Sequence, residues 1–285
     1  MHGGIGAVTA GQATLAVPAG RPAVHRRVLR QSKEVVRFRH LLRYLVSTFL
    51  RTEHVGTVFG FLWWLLDPLL LMAVYTVLID VVLSRGTPNF PLFVMAAILP
   101  WEFFTRSARN GMAYTLAKER AMRQVAFPRP VIPIAATLAE GIHLLVALAL
   151  YILFAIPFGV DPSPINLLAI PIALLMLPLV LGFTFFFSTL NMFFRDTKHI
   201  TDHAFRLWFY LSPSLYPATR IPQHLRGWYD LNPFAPCLES FRDVLLYHRY
   251  PNGGHLAYLA GVSFAVFLAG YSYFVAREGS FAKVD

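Results

Sequence analysis

Residues 58–83 read VFGFLWWLLDPLLLMAVYTVLIDVVL, and this run decides the fold class. A run of about 20 apolar residues is long enough to cross the hydrocarbon core of a bilayer as a helix. Trp63 and Trp64, near its start, are side chains that favour the headgroup level. Asp67 and Pro68 interrupt the run, and the proline predicts a kink because it removes a helix hydrogen bond. We expect the carboxylate at this depth to face a polar neighbour inside a helical bundle.

Further apolar runs follow, so the sequence predicts an all-α integral membrane protein with six transmembrane helices. The predicted spans are about 58–83, 91–114, 132–158, 165–190, 200–216 and 256–275. The composition agrees with this class because 56% of the residues are hydrophobic and only 14% are charged, whereas a soluble domain carries about 25% charge.

The segments outside the spans divide the rest of the chain. Residues 1–30 predict a flexible cytosolic tail, 31–53 an amphipathic interface helix, 54–280 the transmembrane domain and 281–285 a second cytosolic tail. In the interface helix, apolar and basic residues fall on opposite sides. This pattern is typical of a helix in the membrane interface and is also compatible with packing on a soluble partner domain.

The segment 218–250, between the fifth and sixth predicted spans, mixes aromatic residues with Pro222, Pro233 and Pro236. It is too short in apolar residues to span twice. We expect short, proline-broken helices that re-enter the outer edge of the membrane, where protein or a cavity shelters their backbone.

The distribution of the 25 Lys and Arg residues predicts orientation. Placing both termini in the cytosol leaves most of these residues on the cytosolic side, as the positive-inside rule requires. The net charge of +10 therefore suits an anionic-lipid membrane better than a nucleic acid, because the basic residues cluster between apolar runs.

The sequence offers no catalytic residues and no metal site. The chain contains no G-x-x-x-x-G-K-[ST] phosphate loop, and Cys237 is its only cysteine. Glu140 and His143 have an E-x-x-H spacing, for which interhelical hydrogen bonding is favoured over metal binding because no further ligands are evident. His199 and His203 are likewise a weak metal signal.

Charged residues inside the second predicted span form a separate candidate site. Glu102 and Arg106 are four residues apart and share a helix face, and Arg109 lies in the same half of the span. A structural ion pair is favoured, and the alternative is a role in lining a conduit.

Several motifs, in order along about residues 35–280, resemble the membrane subunit of type-2 ABC exporters, specifically the polysaccharide export permeases for O-antigen, teichoic acid and galactan. They are GTVFGFLWWLLDPLLLMAVYTVL (56–78), FPLFVMAAILPWEFFTRS (90–107), RQVAFPRPVIPIA (123–135), NMFFRDTKHI (191–200), LWFYLSPSLYPATRIP (207–222) and LNPFAPCLESFRDVLLY (231–247). The combination of FPR-x-x-x-P, FFRD, SP-x-x-YP and LNP is the specific part of the match. One departure is Pro130, where the family more often has an acidic residue.

The resemblance implies a half-transporter in the cytoplasmic (inner) membrane that forms a homodimer and binds two copies of a separate ATP-binding cassette subunit. ATP and Mg would be bound by that partner, with no cofactor in this chain. The segment 118–129 resembles a coupling helix and its elbow, and 213–246 the outer re-entrant helices. The implied coupling residues are Lys118, Glu119, Arg120, Arg123, Phe127, Pro128, Arg129, Arg195, Asp196 and Lys198.

The resemblance also implies the path of the substrate. The conduit candidates are Glu102, Arg106, Trp208, Tyr210 and Tyr216, since aromatic side chains in this family stack on sugar rings. A lipid-pyrophosphate-linked glycan would enter from the inner leaflet, with its phosphates attracted by basic residues of the interface helix. Those residues are Arg37, Arg39, Arg43 and Arg51.

Two other functions remain open at the level of sequence. One is a type-2 ABC permease for drugs or small lipids. The other is a membrane enzyme of lipid-linked sugar assembly, which the cytosolic loops disfavour because they offer few acidic residues beyond Glu119, Asp196 and Asp202.

Overall fold

The computed structural model describes residues 24–52, 62–117 and 127–279, and within these ranges every regular element is helical. This confirms the predicted all-α class. The α-helices, in chain order, are α1 Val24–Arg37, α2 Arg39–Thr52, α3 Leu62–Tyr75, α4 Phe90–Ala117, α5 Val131–Ala155, α6 Ala169–Phe193, α7 Thr197–Leu211, α8 Gln223–Asp230, α9 Phe234–Leu245 and α10 Gly253–Arg277. A π-helix, Thr76–Val82, continues α3.

Four helical stretches in the described ranges are long and apolar enough to cross a membrane. They are Trp63–Val82, Val131–Phe158, Pro164–Phe193 and Gly253–Arg277. These stretches coincide with the first, third, fourth and sixth predicted spans. The chain is therefore a multi-pass membrane protein.

The second and fifth predicted spans form helices of a different character. Helix α4 has 28 residues but carries three charged side chains. Helix α7 has 15 residues, which is about 22 Å against the roughly 30 Å of a hydrocarbon core. It ends at Leu211 and not at residue 216, because Pro213 disfavours a helical conformation at Ser212, whose backbone is extended (φ −81°, ψ 157°).

The long helices of the bundle run in two opposite directions. Helices α4 and α5 are antiparallel, since the Tyr151 hydroxyl donates to Leu92 O at 3.2 Å at one end. At the other end, Asn110 Nδ2 donates to Glu140 Oε1 at 2.7 Å. Helix α7 also runs against α4, because the Asp202 carboxylate near its start contacts α4 and Phe209 near its end packs on Trp101.

Helices α6 and α10 are parallel and cross with their backbones nearly in contact. A Cβ atom added to Gly182 would lie 2.5 Å from the carbonyl oxygen of Val266, and one on Gly270 would overlap the carbonyl group of Gly182. Phe185 and Phe274 pack beside the crossing with ring centroids 5.2 Å apart. Small residues allow this approach, as at other membrane helix interfaces.

The N-terminal helices lie on the outside of this bundle. The described helical residues in the region of the predicted interface helix run from Val24 to Thr52, and the chain passes through Phe38 with a helical hydrogen bond kept (Phe38 N to Glu34 O, 3.0 Å). Leu45 and Phe49 of α2 are buried against α5. The apolar side of the predicted helix thus faces protein.

Three distant parts of the chain meet at one end of the bundle, which we call the elbow end. The Gln31 side chain donates to the Glu278 carboxylate, and the Arg129 guanidinium donates to the Glu278 main-chain oxygen. The middle of α1, the FPRP elbow (127–130) and the end of α10 therefore lie together.

The segment between α7 and α10, at the opposite end, contains α8 and α9. Its prolines begin these helices rather than break them, since Pro222 and Pro233 stand immediately before α8 and α9. Helix α9 is largely buried, and α8 is largely exposed.

Arg242 of α9 is buried, with only 3% of its surface exposed. Its guanidinium donates to the carbonyl oxygens of Phe93, Pro213 and Ser214 at 3.2, 2.6 and 2.5 Å. It also lies over the Phe93 ring, 3.6 Å from the centroid. One side chain thus fixes α9 to α4 and to the turn that ends α7.

Candidate functional site

A groove runs between α3, α4 and α7. It consists of two adjoining cavities of about 410 and 510 Å³, which share Leu71, Glu102 and Arg109 in their walls. We call this the central groove. The remaining residues of its walls are Asp67, Leu70, Val74, Tyr75, Ile98, Trp101, Thr105, Arg106, Asn110, Phe205, Arg206, Phe209 and Tyr210.

Arg106 is the centre of a charged network on one wall of the central groove. Its Nε lies 2.9 Å from Glu102 Oε2, and its Nη2 lies 3.0 Å from Asp67 Oδ2. The predicted pairing of Glu102 with Arg106 is confirmed. The polar neighbour expected for Asp67 is Arg106, so the network joins α3 to α4.

A second ion pair joins the opposite wall. Arg109 Nε lies 2.6 Å from Asp202 Oδ1, which links α4 to α7. Arg206, one turn further along α7, adds another guanidinium to the groove. The groove walls therefore present three guanidinium groups and two carboxylates, and Asp202 pairs with Arg109 from outside the walls. Charge among otherwise apolar helices is a mark of function in membrane proteins.

Aromatic side chains form the rest of the groove wall. The hydroxyl groups of Tyr75 and Tyr210 are 3.2 Å apart, and their rings meet edge to face at 6.4 Å. Trp101 and Phe209 pack beside them, 5.5 Å apart. Such a wall provides flat apolar faces together with hydroxyl and charged groups, a combination that suits a ligand with both apolar ring faces and many hydroxyls.

The five predicted conduit residues separate into three locations. Glu102, Arg106 and Tyr210 line the central groove. Trp208 lies behind it in an aromatic cluster, where its Nε1 donates to Asn232 Oδ1 at 3.2 Å. Tyr216 lies in the segment after α7, with its hydroxyl 2.6 Å from that of Tyr229.

Glu140 and His143 lie behind α4. The two side chains contact each other at 3.3 Å, and Glu140 accepts a hydrogen bond from Asn110 of α4. The predicted interhelical hydrogen bond of this E-x-x-H pair is confirmed.

Four of the predicted coupling residues lie outside the described residues: Lys118, Glu119, Arg120 and Arg123. Phe127, Pro128 and Arg129 form the elbow. Arg195, Asp196 and Lys198 are exposed directly after the end of α6, whose last turns pack near α1 in one apolar cluster. The two described parts of the predicted coupling surface therefore lie at the same end of the bundle.

The predicted lipid-phosphate residues lie on α1 and α2. The side chains of Arg37, Arg39, Arg43 and Arg51 are all exposed, while the opposite side of α2 is packed on α5. Cationic groups are thus directed away from the protein along this helix.

Sequence reasoning missed Tyr75 and Trp101 as groove residues and Asp202 as the partner of Arg109. Tyr75 and Asp202 lie on other helices than Arg109, and nothing local in the sequence connects them to it. The position of Arg109 in the groove is predictable from helical spacing, because it lies one turn after Arg106 and therefore shares its helix face.

The groove, the helical bundle and the elbow define a membrane transport subunit. Residues 29–246 match the ABC-2 type transporter family, and the chain belongs to this family. The family predicted from the sequence motifs is thereby confirmed.

The relatives of this chain include permeases of polysaccharide export. It is 31% identical over 258 residues to the O-antigen export system permease protein RfbA of Myxococcus xanthus, covering 90% of this chain and 99% of that protein. It is also 30% identical over 245 residues to the O-antigen export system permease protein RfbA of Klebsiella pneumoniae, covering 86% of this chain and 94% of that protein.

Proposed function

We propose that this chain is the permease subunit of an ABC exporter that moves a lipid-linked polysaccharide across the cytoplasmic membrane. A separate ATP-binding subunit, with its ATP and Mg, would drive the export. The observation that carries the proposal is the central groove, whose aromatic and charged walls suit a glycan, in a chain related over most of its length to O-antigen export permeases.

The groove is half of a conduit in this proposal. It opens beside α3, where Leu70, Val74 and Val81 are exposed, and beside α7, where Leu207 and Leu211 are exposed. A second copy of the chain, packed against these apolar sides, would turn two grooves into one enclosed path. The proposed assembly is therefore a homodimer with two ATP-binding subunits.

The proposed membrane topology has six spans and both termini in the cytosol. The antiparallel pairs α4/α5 and α4/α7 and the parallel pair α6/α10 support this count, since consecutive spans must reverse direction. The charges of α4 are paired within the bundle, which lowers the cost of placing that helix in lipid. Helices α8 and α9 would then form the outer, re-entrant segment.

Coupling to the motor is proposed for the elbow end. Arg195, Asp196 and Lys198 are exposed there beside the elbow residues Phe127, Pro128 and Arg129, which suits a contact with a soluble partner. The residues Lys118 to Arg123 complete the proposed surface. The basic side of α2 would attract the pyrophosphate of the substrate from the inner leaflet.

The test is transport in reconstituted vesicles. The chain is purified with its ATP-binding subunit and inserted into vesicles that contain lipid-linked glycan extracted from the native membrane. We expect glycan to become accessible on the opposite leaflet only after Mg-ATP is added, as measured by an impermeant glycan-oxidising reagent. Vesicles that contain the ATP-binding subunit without the chain are the control.

Transport of a drug or a small lipid in the same vesicles, with no movement of any native lipid-linked glycan, would overturn the proposed substrate. Transfer of sugar from a nucleotide sugar by the chain alone would overturn the transport function itself.

A further inference from the structure

A second cavity, of about 560 Å³, lies at the end of the bundle opposite the elbow end. We call it the outer cavity. It is enclosed by residues 213–221, helices α8 and α9 and the first turns of α10, and none of its wall residues belongs to the central groove. Its volume falls in the range of about 300–1,000 Å³ that is usual for ligand pockets.

Two tyrosine rings, whose orientation is fixed by hydrogen bonds, form part of the wall of the outer cavity. The Tyr258 hydroxyl donates to Leu231 O at 2.9 Å, which ties α10 to the turn after α8. The Tyr229 hydroxyl lies 2.6 Å from the Tyr216 hydroxyl. Rings held in this way lose little entropy when a ligand packs on them.

Charged groups of both signs share the same wall. His255 Nδ1 lies 3.5 Å from Glu239 Oε2, and Arg226 and Asp230 contribute a guanidinium and a second carboxylate from α8. Partial burial raises the pKa of Glu239, and the nearby His255 opposes this effect. The cavity thus provides strong acceptors and strong donors within one small volume.

This lining selects among classes of ligand. An anion would meet two carboxylates against one guanidinium, and a purely apolar ligand would desolvate three charged groups and an imidazole without compensating hydrogen bonds. An uncharged ring with several hydroxyl groups satisfies both parts of the wall, since its apolar face packs on tyrosine and its hydroxyls bond to the charged groups.

We propose that the outer cavity binds a neutral sugar residue of the exported glycan. This inference rests on the proposed function. The cavity lies at the end of the bundle opposite the elbow end, which is the outer end in the proposed topology. A sugar held there would resist movement of the glycan back across the membrane while the motor resets.

The test measures binding of a free oligosaccharide to the complete transporter. The native glycan is cleaved from its lipid, shortened, and titrated onto the complex in lipid nanodiscs, with saturation-transfer NMR as the readout. We expect Tyr258→Ala to weaken binding about tenfold, which corresponds to the loss of one aromatic contact of about 1.4 kcal/mol. Tyr258→Phe keeps the ring but loses the hydrogen bond to Leu231 O, so we expect it to weaken binding less than Tyr258→Ala does.

Tyr250→Ala is the matched control, because this tyrosine is at the same end of the molecule, is 78% exposed and does not line the cavity. Equal oligosaccharide binding by the wild type and Tyr258→Ala would overturn the inference. It would also be overturned if Tyr250→Ala weakened binding as much as Tyr258→Ala does. Absence of oligosaccharide binding in a complex that exports glycan would also overturn it and leave the proposed function standing. Failure of export in vesicles would overturn the proposed function, and with it the role assigned to the outer cavity, whatever oligosaccharide binding is measured.

Discussion

At the scale of single residues, Arg106 is the side chain on which the groove wall depends most. Its side chain is only 14% exposed, and it contacts carboxylates from two helices. A guanidinium suits this position because its rigid fork of donors reaches two acceptors at once. Removing such a group leaves the carboxylates of Glu102 and Asp67 without a cation in a medium of low polarity. This costs more stability than replacing all three charged residues by apolar residues of similar volume.

Substitution of Arg106 by Gln tests this role. We expect Arg106→Gln to lower the stability of the complex by about 3 kcal/mol, within the range for breaking a buried ion pair, and to reduce glycan export strongly. The measurements are the thermal unfolding transition in detergent and ATP-driven export in vesicles. Arg277→Gln is the control, since Arg277 is exposed at the end of α10 and its loss is expected to cost less than about 0.5 kcal/mol. Similar transitions for the two variants would contradict the assigned role.

At the scale of elements, the crossing of α6 and α10 determines how closely the bundle packs. Gly182 and Gly270 place backbone against backbone, so any side chain at either position forces two long helices apart. Helix α6 also contacts α4, whose Gly111 faces Thr184 and Ser188. A shift of α6 is therefore transmitted to the helix that carries the groove charges.

A valine at position 182 tests the crossing. We expect Gly182→Val to destabilise the protein by about 3 kcal/mol or more, because its Cβ meets main-chain atoms of α10 that cannot rotate away. Thermal unfolding of the purified protein is the measurement. Gly261→Val is the matched control on α10, since a Cβ there has no neighbour within 4 Å, and a comparable loss in that variant would refute the explanation.

Much of the element level was predictable from hydropathy, because α3, α5, α6 and α10 are long apolar runs. Hydropathy predicts an end near residue 216 for the fifth span, because Leu215 and Tyr216 are apolar. Helix α7 ends at Leu211, because Pro213 disfavours a helical conformation at Ser212. The π-helix Thr76–Val82 has no signature in its residue types. In the site, the pair Glu102–Arg106 follows from helical spacing, whereas Arg109 and Asp202 are 93 residues apart and meet only through tertiary packing.

At the scale of the whole molecule, the described bundle has an open side. The groove lies between α3 and α7, and the outward residues of both helices are apolar and exposed. Exposed apolar surface is ordinary for a helix in lipid, but a groove lined with ion pairs is costly to leave open to lipid tails. The second copy in the proposed homodimer would remove that cost.

Cross-linking tests the proposed dimer. Cys237, the only cysteine in the sequence, is buried in α9, so single cysteines can be introduced at the surface without competing thiols. We expect Val74→Cys on α3 and Leu207→Cys on α7, at positions 61% and 63% exposed, to give dimers with a thiol cross-linker in native membranes. Leu153→Cys on α5 is equally exposed, at 62%, and is expected to remain monomeric on a denaturing gel. Dimers from Leu153→Cys alone would exclude the proposed interface.

The hydrogen bonds of Arg242 also have a consequence for biogenesis. The guanidinium of α9 finds its acceptors on Phe93 and on the turn at 213–214, and all of these precede it in the chain. During synthesis α9 can enter the bundle only once α4 and α7 are inserted, because a bare guanidinium has no acceptors among lipid tails. For α9, the order of translation therefore matches the order of assembly with α4 and α7.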